Sequence, residues 1–114
     1  MARLGERLGQ RAATLSGGEQ QMLAMGRALC LEPSVLLLDE PTEGLQPSMT
    51  ELIRSSLASL KADGVAIVLV EQRVDAVLAL ADHVAFVENG RNGQTVTAAA
   101  LRADPDLMRR YVGI

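Results

Sequence analysis

The chain has 114 residues, a formal net charge of −3 and 48% hydrophobic residues, a composition typical of a small globular domain. Its longest apolar run, residues 65–70, is far shorter than the roughly 18–20 residues that a membrane span requires. Because there is a single cysteine, Cys30, and the first residues lack the apolar core of a secretory signal, the composition favours a cytosolic protein without disulfides.

Residues 2–12 are predicted to form the end of a helix whose beginning is not present. Arg3, Arg7 and Arg11 recur there every four residues with other polar side chains between them, which indicates a solvated helix face. The alternative is a patch that binds nucleic acid. The chain has only two aromatic residues, so it offers no platform on which bases would stack.

A second helix is predicted from about Gly17 to Leu31 on capping grounds. Ser16 followed by Glu19 three positions later is a capping-box pattern, which marks a helix start. Pro33 marks the end of this helix because proline cannot continue it.

Two apolar segments without alternation, Val35–Leu38 and Val65–Val70, predict parallel strands that are covered on both faces. Between them, Ser48 and Glu51 form a second capping-box pattern that opens an amphipathic helix. That helix is predicted to end at residues 63–64, an Asp-Gly pair.

The last third of the chain predicts a short helix, a hairpin and a final helix. Apolar residues from Val74 to Ala81 line one side of the short helix. Val84–Val87 and Gln94–Thr97, joined through an Asn-Gly turn, predict the hairpin, and Asp104-Pro105 opens the final helix. The order strand, helix, strand, helix implies right-handed crossovers in a parallel sheet. We therefore expect an α/β fold in one compact unit.

The first candidate site is the segment Leu-Ser-Gly-Gly-Glu-Gln-Gln at residues 15–21. A helix N-terminus offers free N–H groups and the positive end of the helix dipole, which together attract phosphate. Gly17 and Gly18 leave the backbone bare, and the Ser16 hydroxyl can accept the capping N–H while donating its own hydrogen to a phosphate oxygen. Taken alone, the segment is equally well explained as an ordinary capping box.

The second candidate site is the end of the first predicted strand, where Asp39 and Glu40 follow an apolar run. Ligands of parallel α/β sheets bind beyond the carboxyl ends of strands. Asp39 is placed to hold Mg²⁺, directly or through water, and Glu40 to polarise an attacking water. The alternative is a pair of turn or helix-capping acids.

Three segments, taken in their order along the chain, closely resemble the ATP-binding-cassette (ABC) ATPase family. They are Leu-Ser-Gly-Gly-Glu-Gln-Gln, Gly-Arg-Ala-Leu at residues 26–29 and Leu-Leu-Leu-Asp-Glu-Pro-Thr. The resemblance implies a partial P-loop NTPase fold: parallel strands with flanking helices, then a β-hairpin and a helix. It identifies residues 15–20 as the signature motif and residues 35–40 as the Walker B strand. It further implies that Asp39 serves Mg²⁺, that Glu40 is the catalytic base, and that ATP contacts Ser16, Gly17, Gly18, Glu19 and Gln20.

Two positions depart from the family pattern. In the D-loop, Gln46 stands where many members have an aspartate, which puts the usual contacts of that aspartate across the dimer in doubt. After the second strand, Gln72 stands where many members have a histidine that contacts the γ-phosphate. An amide can donate an N–H to phosphate but cannot carry a proton at neutral pH. The single histidine, His83, is too far along to replace it and is interpreted as structural.

Two segments and the tail are similar to one branch of the family. The segments are Val-Glu-Gln at residues 70–72 and Pro-Thr-Glu-Gly-Leu-Gln-Pro-Ser at residues 41–48. That branch contains the ATPase subunits of importers of branched-chain amino acids and of their urea and amide relatives. The resemblance implies a second ABC ATPase subunit and integral membrane permease subunits as partners, with no nucleic acid. It also implies a cytoplasmic position on the inner face of the cell membrane, held there by the permease.

No Gly-x-x-x-x-Gly-Lys-Ser/Thr occurs in the sequence, and its one lysine, Lys61, falls in a predicted helix. Residues 1–114 therefore resemble the C-terminal portion of a nucleotide-binding domain, either a fragment or a truncated gene product. In the family arrangement residues 16–20 face a partner's nucleotide, whereas Asp39, Glu40 and Gln72 face the subunit's own. We expect negligible ATP hydrolysis by this chain alone. We also expect one side of the sheet to be exposed, so that the chain either self-associates or depends on a partner.

Two other functions remain open. The chain could be a non-catalytic interaction fragment that docks to an intact ABC ATPase or to a permease. It could also resemble ABC ATPases that work without a membrane partner, as in DNA repair or translation. The short spacing from signature to Walker B and the Val-Glu-Gln ending weigh against the last function.

Overall fold

The computed structural model describes residues 2–112 and has the α/β architecture predicted from the sequence. The chain divides into two compact units, the first ending at Glu71 and the second beginning at Gln72, where the sequence indicates a single unit. Among the described residues, no helix has both the length and the apolar character needed to cross a membrane.

The first unit opens with α1 (Ala2–Gly5), a series of turns and a single 3₁₀ turn (Ala12–Thr14), followed by α2 (Gly17–Leu29). The prediction of one helix over residues 2–12 is therefore wrong. Gly5 and Gly9 explain the break, because a glycine inside a helix costs about 1 kcal/mol relative to alanine.

The next three elements are β1 (Val35–Asp39), α3 (Pro47–Ala62) and β2 (Ala66–Val70). The two strands pair in parallel, in register from Val35 opposite Ala66 to Asp39 opposite Val70, as the sequence predicts. The second capping box does not form, because α3 begins at Pro47 with Gln46 as its N-cap and no side-chain cap bond. Proline suits the first helical position, since its missing N–H would have no partner there, so the helix starts before Ser48.

The β1–β2 sheet is covered on one face only. Helix α3 contacts β2, and its Ile53 and Leu57 are almost completely buried, as is Leu36 of β1. The prediction that both faces are covered is wrong for the described residues. Four apolar side chains on the other face are more than half exposed: Val35 at 53%, Leu37 at 73%, Val68 at 53% and Val70 at 55%.

The second unit contains α4 (Val74–Leu80), β3 (His83–Glu88), β4 (Arg91–Thr97), α5 (Ala98–Ala103) and α6 (Pro105–Val112). Strands β3 and β4 form the predicted antiparallel hairpin. Asn89 and Gly90 join them with φ of 51° and 74°, the positive values that a tight hairpin turn requires. Helix α5 is not predicted from the sequence; its N-cap is Thr97, whose hydroxyl accepts the N–H of Ala100 at 3.1 Å.

The two aromatic side chains of the chain hold α6 against the hairpin. The rings of Phe86 and Tyr111 are stacked with centroids 4.5 Å apart and planes 8° from parallel. The Tyr111 hydroxyl donates a hydrogen bond of 2.6 Å to Gln94 Oε1. Both rings are therefore engaged inside the second unit.

Candidate functional site

The start of α2 carries the capping box that the sequence predicts. Ser16, in extended conformation, is the N-cap, and its hydroxyl accepts the N–H of Glu19 at 3.4 Å. In return, the Ser16 N–H donates to Glu19 Oε2 at 2.9 Å. Ser16 is exposed, so its hydroxyl hydrogen remains available to a ligand oxygen.

The two glycines of this loop have different surroundings. A Cβ placed on Gly17 would meet only Leu45, at 3.9 Å, and the residue is exposed. Gly18 is buried, and a Cβ there would lie 2.7 Å from Met49 Cε of α3. Gly17 therefore leaves its backbone open, as expected for a phosphate contact, whereas Gly18 also permits the close packing of α2 on α3. That packing requirement is not evident from the sequence motif.

Glu19 and Gln20 direct their polar groups back toward the chain. The Glu19 side chain is 10% exposed, and its Oε1 lies 3.1 Å from the Nε of Arg7. Gln20 Nε2 donates to the carbonyl oxygen of Leu15 at 3.0 Å. The sequence interpretation places Arg7 on a solvated helix face, but Arg7 lies in the turns after α1 and pairs with Glu19. The signal against that interpretation was Gly5 and Gly9, which break the helix that such a face needs.

The two candidate carboxylates lie at the carboxyl end of β1, as predicted. Asp39 is the last residue of the strand, opposite Val70, and is exposed. The Glu40 N–H donates to the carbonyl of Val70 at 2.8 Å, which extends the ladder by one residue. Glu40 has a φ of 44°. A left-handed conformation is uncommon in a residue other than glycine, and such strain clusters at functional sites.

The loop that follows Glu40 is held by Thr42. This residue is 8% exposed, and its hydroxyl donates to Glu71 Oε2 at 2.9 Å. Its carbonyl accepts the N–H of Leu45 at 3.3 Å, and Gly44 has a φ of 69°. The D-loop is thus a compact turn that ends at Gln46, the N-cap of α3.

The remaining candidates lie in the second unit. Gln72 is its first residue, immediately after Glu71, and is exposed. His83 is the first residue of β3 and is also exposed. The structure therefore groups residues 16–20 at one helix start and residues 39–40 at one strand end, with Gln72 following the neighbouring strand.

Asp39 meets the requirements of a magnesium ligand shared with a nucleotide. Within residues 2–112, no group of three or more His, Cys, Asp or Glu side chains is arranged to hold a metal ion by itself. Mg²⁺ in nucleotide sites is usually bound through one or two carboxylates together with substrate phosphates. A single exposed carboxylate at the carboxyl end of a parallel strand fits that mode of binding.

Comparison with known proteins gives consistent results. The family model described as ABC transporter matches residues 2–43. The chain is 49% identical over 111 residues to the high-affinity branched-chain amino acid transport ATP-binding protein BraG of Pseudomonas aeruginosa, which covers 97% of the chain. It is 41% identical over 103 residues, or 89% of the chain, to the methionine import ATP-binding protein MetN of Wolinella succinogenes.

Among solved structures, the fold is similar to an ATP-binding cassette of an ABC transporter in its ADP conformation. The TM-score is 0.74 at 30% identity, and the match covers 92% of the chain and 43% of the solved one. The chain spans 48% of the length of BraG and 34% of that of MetN. It thus corresponds to about half, or less, of the proteins it matches.

Proposed function

This chain belongs to the ABC transporter family, and on that premise we propose that it is part of an ATP-binding and ATP-hydrolysing subunit that energises import of branched-chain amino acids or a related small polar solute. The solute class is that of BraG, a branched-chain amino acid transport protein that is more similar to the chain than MetN is.

One observation carries the proposal: a bare, capped helix start and a strand end with two successive carboxylates occur in the same small unit. The first has the free N–H groups and the hydroxyl that bind phosphate, at Ser16 and Gly17. The second has the acidic groups that phosphoryl transfer to water requires, at Asp39 and Glu40. A Cβ on Gly18 would collide with Met49, so the start of α2 packs closely on α3, the helix that follows the loop after β1.

In this proposal the start of α2 faces a nucleotide held by a second ATPase subunit. The Ser16 hydroxyl donates its hydrogen to a terminal phosphate oxygen, and the Gly17 N–H adds a second donor. Gly18 lets α2 pack close to α3, so that the loop is presented at the surface. Glu19 and Gln20 contribute by their hydrogen bonds to the Ser16 N–H and the Leu15 carbonyl.

Asp39, Glu40 and Gln72 act on the nucleotide of their own subunit. Asp39 would hold Mg²⁺, which supplies charge neutralisation at the phosphates when it is bound. Glu40 orients and polarises the attacking water as general base. The Gln72 side chain donates an N–H to the γ-phosphate and takes no proton, so the base function rests on Glu40 alone.

The proposed partners are a second ABC ATPase subunit and integral membrane permease subunits. The ATPase partner follows from the two half-sites, since residues 16–20 and residues 39–40 act on different nucleotides. The permease is proposed because the relatives BraG and MetN are transport and import proteins. We propose that this association holds the subunit at the cytoplasmic face of the membrane.

The half-site at α2 can be tested by complementation. An intact ABC ATPase subunit whose own signature serine is changed to alanine is mixed with this chain, and phosphate release from ATP is measured. We expect the chain to raise the turnover, and Ser16→Ala to remove most of that stimulation. Ser48→Ala, at an exposed helical position, is the matched control. Binding of the chain without any stimulation would favour the non-catalytic interaction fragment instead.

The half-site at β1 needs a phosphate loop, which the 114-residue sequence does not contain. We propose that the chain alone does not turn over ATP, and that a fusion with the N-terminal half of BraG does. In the fusion, Glu40→Gln should lower phosphate release by about 100-fold or more, as loss of a general base does. Glu43→Gln, three residues along and exposed, should leave it unchanged. Turnover by the unfused chain that Glu40→Gln abolishes would refute this part of the proposal.

A further inference from the structure

Arg7 connects two segments that enclose the glycine loop. Its Nε lies 3.1 Å from Glu19 Oε1, in the first turn of α2. Its Nη1 donates to Gln10 Oε1 at 3.0 Å. Gln10 Nε2 in turn donates to the carbonyl of Thr14 at 3.0 Å and to its hydroxyl at 2.9 Å. One guanidinium group therefore links the first turn of α2 to the segment that leads into it.

The segment enclosed by these contacts is the loop whose backbone we propose to face a phosphate. Leu15 is 9% exposed, and its carbonyl accepts from Gln20 at 3.0 Å. The Ser16 N–H donates to Glu19 Oε2 at 2.9 Å, while the other carboxylate oxygen is paired with Arg7. The carboxylate is mostly buried, and a buried charge depends on such partners.

We propose that Arg7 is a positioning residue for the Ser16–Gly18 loop, acting through Glu19. The inference rests on the proposed function, because it assigns a residue to that same half-site. By neutralising Glu19, Arg7 keeps the carboxylate on the Ser16 N–H and away from the nucleotide phosphates. A planar guanidinium can serve Glu19 and Gln10 together through different nitrogens, which a lysine ammonium on a flexible stem does less well.

The first test uses the 114-residue chain itself and measures amide hydrogen exchange by NMR. We expect Arg7→Met to speed exchange of the Ser16 N–H about tenfold, because a charge-assisted hydrogen bond is weakened. Exchange in β1 and β2 should stay as in the unmodified chain, which separates local loosening from general unfolding. Arg7→Lys keeps the positive charge and should slow exchange of the Ser16 N–H only part of the way back to the rate of the unmodified chain. It also serves as a second variant in case Arg7→Met does not fold.

Arg11→Met is the matched control, since it removes the same charge four residues away from an exposed side chain. We expect it to leave the Ser16 exchange rate unchanged. An Arg7→Met chain with a Ser16 exchange rate equal to that of the unmodified chain would overturn the inference.

The second test repeats the complementation assay with the Arg7 variants. Arg7→Met should reduce the stimulated phosphate release about tenfold while the chain still binds the intact subunit, and Arg11→Met should not. A structural role alone would lower binding and release together. If the unmodified chain stimulates release and Arg7→Met does so equally, the inference fails and the proposed function stands. If the unmodified chain gives no stimulation, the proposed function is wrong and the functional part of the inference falls with it.

Discussion

The hydroxyl of Thr42 donates a hydrogen bond of 2.9 Å to the carboxylate of Glu71, between residues that follow neighbouring parallel strands. Next to it, the Glu40 N–H donates to the Val70 carbonyl at 2.8 Å. One side-chain bond and one backbone bond therefore fasten the loop after β1 to the end of β2. Glu40 lies in the segment that these two bonds fasten, so both bonds help to hold its left-handed backbone conformation.

The first prediction concerns this side-chain bond. Thr42→Val keeps the shape of the side chain but removes the donor, so we expect the free energy of unfolding to fall by about 1 kcal/mol. The loss should be smaller than the roughly 1.5–3 kcal/mol typical of a bond to a charged group, because Glu71 is partly exposed. Urea unfolding followed by circular dichroism measures the change.

Thr95→Val on exposed strand β4 is the control for the same chemical change, expected within about 0.5 kcal/mol of the unmodified chain. If Thr42→Val is as stable as Thr95→Val, the bond does not hold the loop. If the bond does hold the loop, combining Thr42→Val with Glu71→Gln should cost less than the sum of the single changes, because Glu71→Gln weakens a bond that Thr42→Val has already removed.

The second prediction compares the two serines of the capping-box patterns. Ser16 caps α2 in the structure, whereas Ser48 lies inside the first turn of α3. We expect Ser16→Ala to lower the free energy of unfolding by about 1 kcal/mol, the typical value for a lost N-cap, and Ser48→Ala to have little effect. The same urea titration gives both values. Equal losses for the two variants would contradict the assignment of the caps.

Identical spacing thus leads to different structures, and the reason is local. Proline at position 47 starts α3 one residue before Ser48, so Glu51 no longer lies opposite a free N–H. Glu51 instead accepts hydrogen bonds of 2.9 and 2.6 Å from Arg54. The bond from Arg54 lowers the pKa of the Glu51 carboxyl. The small contribution of this exposed pair is present above the usual glutamate pKa and is lost as pH falls through the lowered value.

The elements and the candidate residues could be predicted because their signals lie close together in sequence. Capping at Ser16, the apolar strand ending in Asp39, and the Asn-Gly turn each require fewer than about ten residues of context. The contacts that hold the site could not be predicted in this way. Arg7 with Glu19 and Thr42 with Glu71 join residues 12 and 29 positions apart, and their geometry depends on how the elements pack.

Packing also gives a glycine a function that its motif does not reveal. In sequence, Gly17 and Gly18 have the same interpretation, a bare backbone near phosphate. In the structure only Gly18 is in close contact with another helix, since its missing Cβ would collide with Met49. A motif therefore identifies the important residues, whereas the structural role of each residue depends on the element that packs against it.

The third prediction concerns the uncovered face of the β1–β2 sheet. Leu37 and Val68 are opposite each other in the pairing and are 73% and 53% exposed. Within the described residues each strand pairs only with the other, so both outer edges of the sheet lack a neighbouring strand. Exposed edges and contiguous apolar surface promote association. We expect the chain to bind a hydrophobic dye and to self-associate with rising concentration in sedimentation velocity.

The double change Leu37→Thr and Val68→Thr tests the location of this surface. Threonine is β-branched and keeps the strand, but it removes apolar area, so dye binding should fall and the dissociation constant for self-association should rise about tenfold. Val87→Thr alters a valine on the hairpin whose exposure, 68%, lies between those of Val68 and Leu37, and it should change neither measurement. A chain that stays monomeric at every concentration and binds no dye would contradict this prediction. That result would show that the exposed apolar side chains of this face do not drive association.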